Sequence, residues 1–183
     1  MDDRTRDLKA EWLALRCRQG DPAAFTELVA EFERPLAYFA SKLLGGDDDL
    51  ALDVLQDVWL RAFRSFRRLE RPDRVRAWLY RLARGLAIDR IRKERSVGRL
   101  EREHADGRPE GEEPSFSAED AAAVHAVIDT LPLEQREAIV LHFIEGMSHE
   151  AIAEVVDCPV GTVKSRLHRA KQELRRRLEA HQR

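Results

Sequence analysis

Between Val160 and Gln172 the chain places Thr162, Lys164, Ser165, Arg166, His168 and Arg169 within a few helical turns, with no carboxylate among them. Hydroxyl, imidazole and guanidinium groups can exchange hydrogen bonds with base edges, and flanking cations can neutralise phosphates. At about 100° per residue, Val163, Leu167, Ala170 and Leu174 share one stripe that must face a core. Gly161, Thr162, Ser165, His168, Arg169 and Gln172 then point the opposite way, with Lys164 and Arg166 on the flanks. Upstream, Ser148 can cap a short helix from His149 to Val156, and Asp157-Cys158-Pro159 supplies a turn before the next helix at Val160. Two helices joined by a turn of this length, the second with a small, hydroxylic and basic outer face, predict a helix-turn-helix entering a DNA major groove.

A second constellation lies in the first half. Arg74, Arg76, Arg81, Arg84 and Arg92 surround Trp78 and Tyr80 on one expected helix. Cations interleaved with aromatic rings suit single-stranded nucleic acid, whose backbone charge is neutralised while its bases stack. Spacing assigns Trp78 to the buried stripe of that helix with Val75, Leu79, Leu82 and Leu86. Tyr80 and the arginines are left as the contact candidates.

Other chemistry is absent from the pattern. His149-Glu150 begins like the zinc-protease HExxH motif, but Ala153 stands where the second histidine is needed. The sequence has no glycine-rich phosphate loop and no GxSxG setting. Cys17 and Cys158 are isolated, so neither a zinc site nor a disulfide framework is suggested. No metal, cofactor or enzymatic activity is expected.

The net charge of −2 conceals an asymmetry. Residues 61–95 hold 13 basic against 4 acidic residues, and residues 160–183 hold 8 against 2. Residues 97–120 between them hold 3 against 8. Two basic segments on a mildly acidic chain point to an anionic polymer touched at two places. No apolar run reaches the length of a membrane span, and Met1-Asp2-Asp3-Arg4 opens no signal peptide, so a cytoplasmic protein without membrane insertion is expected.

The elements that must position these groups read as helices throughout. A first helix, about 4–18, carries Leu8, Trp12 and Leu15 at helical spacing. A second starts behind Asp21-Pro22 and aligns Phe25, Leu28, Val29, Phe32, Leu36, Phe39 and Leu43, with Pro35 inside it. A third, from about Asp47 to Leu69, turns Leu55, Trp59, Ala62, Phe63 and Phe66 inward; Asp53, Asp57, Leu60, Arg61 and Arg64 face out, with Val54 near them. The fourth runs from Asp73 to Arg95. Residues 97–117 carry Gly107, Pro109, Gly111 and Pro114 and almost no large apolar side chains, as expected of a flexible acidic linker. Ser117 and Asp120 resemble a capping box that restarts helix. The expected fold is all-α, with two small helical domains, 1–96 and 121–183, joined by a linker at 97–120. The second domain is the helix-turn-helix.

The segment DCPVGTVKSRLHRAK (157–171), preceded by LPLEQREAIVLHFIEGMSHEAIAEVV (131–156), resembles the promoter-recognition domain of extracytoplasmic-function (ECF) sigma factors. GDPAAFTELVAEF (20–32) and DVLQDVWLRAFRSF (53–66) resemble their polymerase-binding regions, and VRAWLYRLARGLAIDRIRK (75–93) their promoter-melting segment. The resemblance covers most of 20–96 and 121–178, in order. It implies a subunit that directs core RNA polymerase to promoters. The C-terminal domain would read the upstream (minus-thirty-five) element as duplex through Thr162, Lys164, Ser165, Arg166, His168 and Arg169. The N-terminal domain would open the downstream (minus-ten) element through Arg74, Arg76, Tyr80, Arg81, Arg84 and Arg92, with the loop 67–74 cupping an extruded base. It also implies that Asp53, Gln56, Asp57, Leu60 and Arg61 dock on the polymerase clamp. Gly85 departs from the family, which usually carries Asn there. No segment beyond Arg183 offers internal regulation, so a separate anti-sigma factor is expected by analogy.

Two other classes stay open on the residues alone. An ordinary helix-turn-helix regulator would leave residues 20–95 without a polymerase role. A DNA-processing enzyme with a helix-turn-helix tail would need a nucleophile with supporting residues, and the one serine of the first sixty residues, Ser41, lies on a helix without such a setting.

Overall fold

Asp21 begins the first long helix by accepting hydrogen bonds from the amides of Ala23 and Ala24 at 2.9 and 3.2 Å, with Pro22 at the first helical position. That cap satisfies donors that a helix start leaves free, and proline has no amide to waste there. The computed structural model describes residues 3–96 and 118–181. These form α1 (Asp3–Arg18), α2 (Pro22–Leu43), α3 (Asp48–Ser65), α4 (Val75–Ser96), α5 (Ala118–Asp129), α6 (Leu133–Ile139), α7 (His149–Val156) and α8 (Val160–His181). Short 3₁₀ turns at Phe66–Arg68 and Pro72–Arg74 join α3 to α4, and a π-helical turn, Val140–Ile144, extends α6. Among the described residues there is no strand, and the all-α class holds. The expected linker and the Ser117 capping box lie outside the described residues.

α2 runs unbroken through Pro35 and buries Leu28, Phe32, Leu36, Phe39 and Leu43 against α1, α3 and α4. The α1 face differs from expectation. Ala10, Leu13, Ala14 and Cys17 are buried, while Leu8, Trp12 and Leu15 stand exposed. Both sets repeat at 3–4 spacing. The buried one is rich in small side chains, and these let α1 approach α2 closely. Burial pushes the Cys17 thiol up to about 11. In α3, Val54 and Val58 are buried and Phe63 is 65% exposed, the reverse of the expected orientation for Val54 and Phe63. Leu55, Ala62 and Phe66 face inward as read, with Trp59 partly buried against them.

The two halves do not stand apart. α2 touches α6, and α4 touches α7. Buried side chains from both halves form one continuous cluster. Lys42 of α2 pairs with Asp129 of α5 at 2.7 Å, and the Tyr38 hydroxyl meets His125 Nδ1 at 2.7 Å. The Arg136 guanidinium donates to the Asp129 and Leu131 carbonyls at the end of α5 and to the Lys42 carbonyl at the end of α2. One cation thus satisfies the free C-terminal acceptors of two helices from opposite halves of the chain.

Candidate nucleic-acid interface

The C-terminal site rests on a tightly specified turn. The Ser148 hydroxyl accepts from the Ala151 amide at 3.1 Å and starts α7, which buries Ile152, Val155 and Val156. α7 ends at Asp157, whose φ of 53° is left-handed, a conformation that aspartate tolerates better than β-branched residues. The Cys158 amide then returns to the Ala153 carbonyl, and the Pro159 carbonyl accepts from Thr162 and Val163 as α8 begins. Val163, Leu167 and Ala170 are buried and Leu174 is half-buried, so the sequence-derived phase of α8 is correct.

On the opposite side Lys164, Ser165, His168 and Arg169 are exposed, Thr162 is half-buried, and His168 shares a hydrogen bond with Gln172 at 3.0 Å. Lys164 and Arg169 make no ion pair among the described residues. Arg166 is different. Its side chain is only 17% exposed and bridges to Glu134 of α6 at 3.1 Å, which fixes α8 on α6 rather than offering it to a ligand. Further along, Arg176 and Arg177 share Glu173 and hold its carboxyl down to about 2.

The basic helix α4 is arranged otherwise. The turns before it and its first residues enclose an open concavity of about 530 Å³, lined by Arg68, Arg71, Arg74, Trp78 and Arg81. Trp78 is half-buried, edge-on to Phe66 at 5.2 Å, and its remaining surface faces this hollow. Tyr80 is fully buried, against Phe39 at 5.3 Å, and its hydroxyl donates to the Glu145 carboxylate. Of the two rings, the spacing had assigned Trp78 to the core and Tyr80 to the contact face; the structure gives the concavity to Trp78.

The arginines of α4 are mostly engaged. Arg76 is 6% exposed, reaches Asp7 at 3.1 Å and donates to the Glu145 carbonyl, one of the free acceptors at the end of the π-helical turn. Arg84 bridges at 2.9 Å to Glu137, whose carboxylate is fully buried. Arg74 reaches Glu154 of α7 at 3.1 Å as well as Asp73. Arg81 and Arg92 are exposed, Arg92 lying 3.9 Å from Asp89. The sequence reading therefore placed Arg76, Tyr80 and Arg84 on an open face, and the structure covers that face with the C-terminal domain. Gly85 is exposed, with no atom within 4 Å of where a Cβ would stand, so packing does not demand glycine there.

The partners of these side chains that spacing did not expose are Glu137, Glu145 and Glu154. Glu137 carried a signal, since it falls on the same helical side as Val140 and Leu141, a lone acid among core residues. Burial raises its pKa against the pull of Arg84.

The outer face of α3 presents Asp53, Gln56, Asp57, Leu60 and Arg61, all exposed as expected. Beside it, Leu52, Trp59, Leu60 and Phe63 with Phe25 form a mostly apolar groove of about 540 Å³. Asp53 is partly engaged by Arg90 at 2.9 Å. Leu52, Leu60 and Phe63 stand exposed on this helix, as Leu8, Trp12 and Leu15 do on α1.

Comparison with known proteins agrees with this geometry. Residues 28–97 match the Sigma-70 region 2 family and residues 121–174 match Sigma-70, region 4. The chain is 31% identical to the ECF RNA polymerase sigma factor SigW of Bacillus subtilis, over 88% of this chain and 92% of that protein. It is likewise 31% identical to the ECF RNA polymerase sigma-E factor of Escherichia coli K12, over 92% and 93%. Among solved structures it is similar to the sigma factor RpoE of Bartonella quintana in complex with the anti-sigma factor NepR (TM-score 0.73, 27% identity, 85% of this chain and 96% of that one). It is also similar to CnrH in complex with the cytosolic domain of CnrY (TM-score 0.70, 29% identity, 94% and 98%). With both regions present in order and whole-length relatives above 30% identity, the chain belongs to the ECF sigma factors of bacterial RNA polymerase.

Proposed function

We propose that the chain works as a promoter-specificity subunit whose two DNA-reading surfaces are the outer strip of α8 and the concavity at the start of α4. As an ECF sigma factor it is an initiation factor that binds core RNA polymerase and recognises promoter DNA. The finer assignment rests on one observation above all: Lys164, Ser165, His168 and Arg169 form an exposed strip at the start of a helix whose opposite stripe is buried from Val163 to Ala170. That face reads the minus-thirty-five duplex, with Arg169 aimed at a base edge and Lys164 at the groove wall. Thr162 lies at the same end, and Arg166 acts by holding α8 to α6.

Trp78, Arg74 and Arg81 line a hollow of suitable size for an unstacked base of the minus-ten element, with Arg92 further along as a backbone contact. Arg76, Tyr80 and Arg84 belong to the same helix and join the surface once the C-terminal domain moves away. Asp53, Gln56, Asp57, Leu60 and Arg61, with the groove beside them, form the polymerase-docking face. The working division is 1–96 for polymerase binding and minus-ten opening, 97–120 as linker and 121–183 for minus-thirty-five reading. The protein acts in the cytoplasm without catalysis of its own, and no helix among the described residues can cross a membrane. Because the similar sigma factor RpoE has been solved with the anti-sigma factor NepR, a separate anti-sigma factor is the partner proposed for control.

Run-off transcription with core polymerase on genomic promoters tests this reading. Added protein should confer specific initiation, and Asp53→Lys/Asp57→Lys should lose polymerase association while keeping its helical content. Tight operator binding by the protein alone, without polymerase association, would instead favour a free-standing regulator.

A further inference from the structure

His142 in the π-helical turn and His149 at the head of α7 lie face to face, with ring centroids 4.9 Å apart and planes 27° from parallel. The His142 Nδ1 lies 3.0 Å from the Met147 carbonyl oxygen. A carbonyl only accepts, so Nδ1 carries the hydrogen and the neutral ring presents a bare lone pair at Nε2. Among the described residues, that Nε2 and both nitrogens of His149 have no hydrogen-bond partner, and none of the three is a buried atom. The pair is open to solvent.

Two contacts fix where the pair sits. The Glu150 carboxyl, beside His149, is held below its ordinary range by its own amide first, and then by Ser148, His149 and the Lys164 ammonium of α8. Phe143 is edge-on to His142 at 4.7 Å and carries the Lys171 ammonium over its face at 4.7 Å. Lys164 and Lys171 are both exposed and lie about two turns apart along one edge of α8, the edge that borders Ser165 and His168. The imidazole pair therefore flanks the reading strip on its α7 side, where a duplex seated on α8 carries its backbone.

We propose that His142 and His149 form a backbone-phosphate site for the upstream duplex that a proton switches on. This rests on the minus-thirty-five role assigned to α8 above. In the neutral pair, the lone pair at His142 Nε2 would meet a phosphate oxygen with like polarity. One proton, taken from solvent, turns that nitrogen into a charged donor from which the phosphate accepts. A second proton on the stacked ring is opposed by the first charge at close range, so the pair gains one charge. Around it, Glu150 of α7 favours the proton, while Lys164 and Lys171 of α8 oppose it. α4, which also packs on α7, directs Arg74 to Glu154, and Glu145 at the end of the π-helical turn is taken by Tyr80. A duplex phosphate supplies the attraction that the two lysines remove. Imidazole makes this change close to neutral pH. The contact reads no base, so its gain should be even across sequences.

The test measures promoter binding by the holoenzyme at about pH 6 and about pH 8 over a range of salt. At the lower pH the parent should bind roughly three- to tenfold more tightly than the H142Q/H149Q holoenzyme, and at the higher pH the two should agree. The parent's log affinity should also fall more steeply with log salt at the lower pH, with a slope larger by about one. H142R carries a fixed charge and should keep the tight binding at both. H149Q leaves the Met147 contact untouched, and it must flatten the response even where H142Q unsettles the turn. A response that survives in H142Q/H149Q and vanishes in H168Q belongs to the reading strip and overturns the proposal. So does a salt slope that ignores pH, or a gain confined to a few bases of an upstream-element library. Arg169→Ala with an unchanged sequence preference overturns the strip as the reader, while a pH response lost in H142Q/H149Q still locates the duplex backbone at the pair.

Discussion

α4 and α8 are both 22 residues long and both basic, yet they hold their charge in different ways. α8 keeps Lys164, Ser165, His168 and Arg169 in solvent and ties Arg166 to Glu134, Lys171 to the Phe143 ring and Arg176 and Arg177 to Glu173, all within its own domain. α4 and the turn before it have Arg74, Arg76 and Arg84 bound to carboxylates or carbonyls of the other domain. The difference follows from what surrounds each helix. α8 closes the end of a small domain and needs one buried stripe. α4 lies among α2, α3 and α7, so only narrow arcs of its surface stay open. A helix covered on several sides cannot be read from one apolar stripe.

The largest effect should come from breaking the buried pair on α4. Arg84→Ala leaves the Glu137 carboxylate buried without its partner, a loss of about 3–5 kcal/mol to the closed arrangement. Hydrogen exchange across α6 should accelerate and the interdomain distance should lengthen. Unchanged protection of α6 would mean that Glu137 is hydrated where it stands, and the contrast between the two helices would weaken.

On α8 the effect should fall on recognition. Arg169→Ala should cost about 1–3 kcal/mol of promoter binding and relax preference at one or two minus-thirty-five positions. Arg176→Ala should weaken binding less and evenly across sequences, because Glu173 already engages that side chain. A promoter library varied at every upstream position, assayed with each mutant holoenzyme, separates the two. A shifted preference for Arg176→Ala alone would put the docking of α8 about two turns out.

Helix strength should respond in opposite senses. Gly85→Ala in the open arc of α4 should raise unfolding stability by about 0.5–1 kcal/mol. Ser148→Ala removes the cap of α7 and should cost about 1 kcal/mol. Denaturant melts read both, and a neutral Gly85→Ala would show that the arc is not open.

The smallest effect concerns pH. Burial and the Lys42 ammonium lower the His125 pKa from its ordinary 6.5, against Asp129, with the Tyr38 hydroxyl as its partner. A base depressed in the closed form takes up a proton on opening, so its contribution to closure is full above about 6.5 and fades below it. Glu137 acts oppositely, since burial raises its pKa. Interdomain distance should lengthen on acidification more in the parent than in His125→Gln, and equal curves would exclude the imidazole.

Helix order, the Asp21 and Ser148 caps and the phase of α8 were legible because each depends on local chemistry: a side-chain acceptor, a proline without an amide, a stripe of valine, leucine and alanine. The α1 face was not legible, because two stripes repeat at the same spacing and only contact with α2 selects the one with smaller side chains. Tyr80 and Arg76 were misplaced for a tertiary reason, since their partner Glu145 lies 65 and more residues further along. The exposed strip on α8 and the exposure of Asp53, Asp57, Leu60 and Arg61 on α3 could be read from sequence alone. The acids that cover α4 could not, apart from the oddity of Glu137 beside a run of apolar residues.

The reciprocal helix-end contacts bear on how such proteins can be recombined. Arg76 from the first half satisfies a carbonyl of the second, and Arg136 from the second satisfies one of the first. A chimera that grafts a foreign promoter-reading half onto residues 1–96 would inherit new upstream specificity from its α8. Unless the graft also supplies the counterparts of Arg136, Glu137, Glu145 and Glu154, it would arrive without the means to dock. Such hybrids should be more prone to stick to nucleic acid indiscriminately, and transplanting those four side chains should restore quiet behaviour without altering the promoter chosen.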